Sequence, residues 1–180
     1  MMATQGKASG GKTKKARALG AATPPLKKVR RTVSAAPKAG TTVNIQNASG
    51  SAEIPSPARL RLWARAALGA RAEVTLRVVD GREGRALNHR YRRKDYATNV
   101  LSFPYESGRE TRGDIVLCAP VVARETRKQQ KTLDAHYAHL TIHGILHLRG
   151  YDHDTDAGAR IMENRERRVL LGLGFSDPYA

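Results

Sequence analysis

Apolar and polar residues alternate over residues 41–46 and 73–79, and a period of two predicts strands with one buried face. In the second of these, Val74, Leu76 and Val78 share the inward side. Two apolar runs, 100–103 and 114–118, predict two further strands, joined as a hairpin by the polar, glycine-containing stretch 105–113. Elsewhere the period lengthens to that of a helix. Over 58–68, Leu60, Trp63, Ala64, Ala67 and Leu68 fall on one stripe, with Ser56 as cap, Pro57 as first residue and Gly69 as stop. Asp80-Gly81 predicts a turn, followed by a short helix over 83–91 with Leu87 inward. Another helix begins at Pro120 and runs to Gln129. Residues 134–148 predict a largely buried helix, because Leu133, Tyr137, Leu140, Thr141, Ile145 and Leu148 cover much of its circumference. A final helix, capped by Asp154 or Thr155, runs to about Leu171 and ends at Gly172 and Gly174. The fold class is therefore α+β: a single domain with about four strands in a mixed sheet covered by helices.

Charge changes this picture at one end of the chain. The protein has 180 residues and a formal net charge of +16. Residues 1–40 contain seven Lys, three Arg and no acidic residue, and so hold +10 of that charge. They also lack aromatics and are rich in Ala, Gly, Thr and Pro, a composition that cannot offset the entropy of ordering. Residues 1–40 are expected to be a disordered basic arm, and 41–180 the domain. The arm reads as a phosphate-attracting segment, a solubilising tail, the product of a wrongly chosen start codon, or an acid-free transit peptide. No apolar run is long enough to span a membrane. Cys118 is the only cysteine, so no intrachain disulfide can form, which suits a cytoplasmic location.

The densest chemistry lies in His143-Gly144-Ile145-Leu146-His147-Leu148-Arg149-Gly150-Tyr151-Asp152-His153. His143 and His147 are one helical turn apart and project from one face. Gly150 can adopt the backbone angles needed to turn the chain and return His153 to that face. Three imidazoles with an open fourth position predict a catalytic zinc site at the end of a central helix. Two hydrolytic classes compete for it. The spacing matches the extended zinc motif of metzincin proteases, but Gly144 stands where those enzymes carry their general-base glutamate. The alternative is phosphodiester hydrolysis, in which a metal polarises a phosphoryl oxygen and arginines stabilise developing charge. Arg90, Arg92, Arg93 and Lys94 supply suitable cations, although such a cluster alone also describes an ordinary solvated surface.

The segments 87–92 (Leu-Asn-His-Arg-Tyr-Arg), Asp95, 98–104 (Thr-Asn-Val-Leu-Ser-Phe-Pro), 113–115 (Gly-Asp-Ile) and 143–153 resemble the YbeY family in order and spacing. The resemblance covers roughly residues 42–175. It implies a zinc-dependent endoribonuclease specific for single-stranded RNA. Such an enzyme would act in ribosomal RNA maturation, including the 3′ end of the small-subunit RNA, and in ribosome quality control. One zinc ion per chain would be held by His143, His147 and His153. Arg92 would join these histidines in the catalytic set and grip a phosphate, and Asn99 and Ser102 would line the substrate side. Ribosomal RNA is the implied partner, with ribosomal proteins or a ribosome-associated GTPase as possible guides. A non-catalytic RNA-binding factor with a structural zinc is the competing non-enzyme reading. Asp114 reads equally as a group orienting a histidine or as a turn residue; Asp152 and Asp154 flank His153 and could orient it, meet a metal-bound water or cap the last helix, with capping the first reading for Asp154. His136 and His139 read as polar-face or supporting residues, Tyr151 as packing beneath the site, and Cys118 as a small buried residue.

Overall fold

The computed structural model describes residues 40–69, 71–105 and 110–180. The basic arm, apart from Gly40, lies outside the described residues, as does part of the 105–113 connection. Strand β1 (Thr41–Asn47) pairs in parallel with β2 (Ala72–Val79), and β2 in parallel with β4 (Thr111–Cys118). Strand β3 (Val100–Pro104) runs antiparallel to β4, so the mixed sheet has the order β1-β2-β4-β3. Helices α1 (Pro57–Ala67), α2 (Gly81–Arg92), α3 (Ala119–Gln129), α4 (Leu133–Leu148) and α5 (Asp156–Gly172) complete the domain. This is the α+β architecture that the alternation predicts.

The register explains the core. Ile45, Leu76 and Ile115 line up across the parallel strands, and the row ends at Ser102 on β3. With Val74, Val78 and Leu117 they form one apolar face, against which α1 and α4 bury Leu60, Trp63, Ile142, Ile145 and Leu146. The opposite face is apolar mainly at β3 and β4, with Val79 added from β2. There Leu101, Phe103, Val116 and Cys118 meet Leu87 and Tyr91 of α2. The Tyr91 and Phe103 rings pack edge to face at 4.9 Å.

Two local expectations are corrected. Asp80 does not open a turn; it caps α2, its Oδ1 accepting from the Glu83 amide at 2.7 Å, so the helix starts at Gly81. Leu87 does turn inward, packing half-buried against the cluster on that opposite face, while the fully buried positions of α2 are Gly84 and Asn88. Helix α1 ends with Leu68 in extended backbone instead of a left-handed glycine. At the other terminus of α1 the Ser56 cap is present, its Oγ accepting from the Arg59 amide.

Helix α4 positions the candidate site. Thr132 caps its start, and it is enclosed by the sheet, α1, α3 and α5. From His136 to Leu148, the only residues not fully buried are His139, His143 and His147, which form a single open stripe.

Candidate metal centre

Gly150, with φ of 85°, turns the chain after α4 and brings His153 back toward the helix. The His153 ring stacks against His143 at 5.5 Å between centroids and meets His147 edge to face at 4.9 Å. One ligand atom from each of His143, His147 and His153 lies within 4.8 Å of the others. The structure thus brings together the three histidines that the spacing singled out.

Their hydrogen bonds decide which nitrogens face inward. His143 Nδ1 lies 2.8 Å from Glu166 Oε1, and His147 Nδ1 lies 3.1 Å from the Tyr151 carbonyl oxygen. A carboxylate and a carbonyl can only accept, so both Nδ1 atoms donate. In the neutral rings the lone pairs are then on Nε2, and these two atoms lie 3.1 Å apart. Two lone pairs at that distance repel unless a cation lies between them. Two nitrogens bound tetrahedrally at ordinary zinc distances are separated by about 3.3 Å. The donor set therefore fits a zinc-type ion. Burial, together with the neighbouring His143 and His153, holds the His147 pKa below the usual imidazole range and favours the neutral ring that ligation needs.

Gly144 faces the sheet, where there is no space for a side chain. A Cβ there would sit 2.9 Å from Ile115 Cγ2 and 3.2 Å from Ser102 Oγ. The residue after His143 therefore points into the sheet, and the protease reading loses both its glutamate and the room for one.

The other expected site residues take different places. Ser102 is half-buried on β3 and donates to the Gly144 carbonyl at 3.4 Å, tying the edge strand to α4. Asn99 accepts from the Val100 amide and donates to Glu125 at 3.0 Å. Arg92 is the exposed last residue of α2, which packs on the sheet face opposite α4. Asp114 accepts from the Tyr105 hydroxyl. Asp152 Oδ1 accepts from the His153 amide at 2.7 Å, while Thr155, not Asp154, caps α5.

The sequence reading missed Glu166. It is fully buried on α5, on one stripe with Met162 and Leu170. Burial alone would push its pKa up, but hydrogen bonds from His139, His143 and Tyr179 outweigh it and hold the carboxyl at about 2. A carboxylate at the central position of an apolar i, i+4, i+8 stripe was the available signal.

Fold and site together define a single-domain α+β protein with an open three-histidine centre at the end of its central helix. Comparison with known proteins places it more closely: residues 44–174 match the family described as Endoribonuclease YbeY, and the chain belongs to that family. The Endoribonuclease YbeY of Methylobacillus flagellatus is 54% identical over 138 residues, spanning 77% of this chain and 93% of the relative. That of Nitrosospira multiformis is 52% identical over 153 residues, spanning 77% and 81%. A solution structure from Thermotoga maritima covers 76% of this chain and 98% of its own, with 23% identity and a TM-score of 0.46. Endoribonucleases are hydrolases of RNA phosphodiester bonds, the second of the two classes that the motif left open. Among the described residues, no helix is long and apolar enough to cross a membrane.

Proposed function

We propose that this protein is a zinc-dependent endoribonuclease that cuts single-stranded regions of ribosomal RNA. Its tasks include maturation of the small-subunit RNA 3′ end and ribosome quality control, carried out in the cytoplasm. Ribosomal proteins or a ribosome-associated GTPase guide it to its substrate. One ion per chain is held by His143, His147 and His153. The observation that carries this reading is the pair of Nε2 atoms 3.1 Å apart, each turned inward by an acceptor on its own Nδ1.

A bound zinc ion at such a site supplies Lewis acidity to a phosphoryl oxygen and lowers the pKa of water. The chain supplies the remainder. His143 and His147 offer their lone pairs from a helix that cannot shift without disturbing the core, and His153 completes the set from the turn after Gly150. Arg92 presents an exposed guanidinium suited to a bidentate phosphate contact at the substrate. Asn99 and Ser102 shape the substrate side by holding β3 against α3 and α4.

Metal analysis of the purified protein, combined with cleavage of one structured and one unstructured RNA, tests the proposal. Wild type is expected to carry one zinc ion and to cut the unstructured RNA. The His147→Ala protein should remain folded and lose cleavage by a factor of at least about 100. Arg92→Ala should retain zinc and lose most of its rate. Cleavage at the parental rate by His147→Ala would sink the metal mechanism. Chelation that unfolds the chain without a separable effect on cleavage would favour the structural-zinc RNA-binding factor.

A further inference from the structure

We propose that Glu166, braced by His139 and Tyr179, is the positioning residue of the three-histidine centre. It fixes His143 as the Nδ1–H tautomer and so keeps the Nε2 lone pair turned toward the ion. This inference rests on the metal-centre reading above and adds residues that lie outside the ligand motif.

Three elements converge on one buried carboxylate. Glu166 Oε1 accepts from His143 Nδ1 at 2.8 Å, and Oε2 accepts from His139 Nε2 at 3.0 Å. The Tyr179 hydroxyl, on the segment after α5, also donates to Oε2. That segment is itself anchored. Arg167 pairs with Asp177, the Tyr179 amide donates to Asp177, and Lys131 Nζ donates to the Pro178 carbonyl. The Tyr179 ring packs edge to face on His139 at 5.5 Å, which holds both donors in place.

The physical consequence is a choice of tautomer. A free neutral imidazole can carry its proton on either nitrogen, and a proton on Nε2 would block ligation. A carboxylate at Nδ1 selects the form that ligates and fixes the ring plane. His147 obtains the same selection from the Tyr151 carbonyl, a backbone atom no substitution removes. His143 depends on a side chain, and that side chain is Glu166. His139 meets the same carboxylate through its other oxygen, Oε2; its Nε2 is thereby occupied, so it braces the carboxylate and leaves ligation to the other three. A second ion shared by His139, His143 and Glu166 is the competing arrangement for this cluster.

Ring-nitrogen correlation spectra of the zinc-free wild type at mildly alkaline pH test the proposal directly. His143 is expected as the Nδ1–H tautomer; an Nε2–H signal would overturn the proposal whatever the variants do. Zinc affinity by chelator competition supplies the second arm, with folding checked by circular dichroism. Glu166→Leu keeps an apolar shape between Met162 and Leu170, and is expected to weaken zinc binding by about 10–100-fold. Glu166→Gln retains an acceptor oxygen and should recover part of that loss, and Tyr179→Phe should lose less than Glu166→Leu. Glu166→Leu protein that is folded and binds zinc within twofold of wild type overturns the positioning role while leaving the metal centre intact. Two zinc ions per wild-type chain would also overturn it, in favour of the shared second site. A wild type that takes up no zinc sinks the metal centre itself, and the tautomer spectrum still decides the bond between Glu166 and His143.

Discussion

His136 shows how a residue on the helix that carries the histidine cluster can govern stability without joining that cluster. It is 4% exposed, and its Nε2 meets Glu125 Oε2 at 2.8 Å, the same oxygen that accepts from Asn99. Burial lowers its pKa below the ordinary 6.5, Glu125 opposes that shift, and the nearby His139 and Lys131 add to it. The folded ring therefore resists protonation more than the unfolded one. Stability is complete above about pH 6.5 and declines as the pH falls below that value, because the unfolded chain takes up the proton first. Urea denaturation of zinc-free protein across that range should show the decline, and His136→Gln should flatten it. An unchanged slope in the folded variant would remove His136 as the source. At this scale the sequence was legible where residues repeat a spacing, as in His143 and His147. It was silent where a contact joins distant segments, as between Glu166 and His143, 23 residues apart.

Helix α2 is where local chemistry was easiest to misread. Asp-Gly is a strong turn signal, and the residues alone read as a turn with the helix beginning only at Glu83. In the structure Asp80 follows the last residue of β2 and its side chain closes the first turn of α2. Asp80→Ala should cost about 0.5–2 kcal/mol in denaturation midpoints, whereas Asp80→Asn should cost much less. Equal losses in the two variants would mean that the cap contributes little. The strands and helices were otherwise legible because their apolar periods are uninterrupted. Their order in the sheet was not. The antiparallel β3–β4 pair was legible as a hairpin, but nothing in a single sequence states that the other neighbour of β4 is β2, because that pairing is set by packing across the domain. The helix that carries Arg92 was legible, but its placement opposite α4 follows only from which strand residues face which way.

For the whole molecule, charge is the dominant property. The domain carries +6 and the first forty residues +10, so most of the positive excess lies in the segment that precedes the family match. RNA affinity should fall linearly with salt on logarithmic axes, with a slope set by the number of phosphates neutralised. A shortened protein beginning at Thr41 should bind with a shallower slope and cut at a similar rate once saturated. Identical slopes for the two forms would show that the arm does not meet the RNA.

The closed surroundings of α4 bear on how an ion would come and go at the proposed centre. Ile142, Ile145 and Leu146 are fully buried, so separating His143 from His147 requires opening the core. His153 is exposed on the turn after Gly150 and can leave by a local backbone movement. At the proposed centre arrival and departure would thus be unequal in order: the helix would offer a fixed two-pronged berth, and His153 would close last and open first. In metal-free protein, amide exchange should be slowest at residues 142–146 and fast at 152–154. Such a berth would survive an empty interval, and recharging would need only a loop to settle.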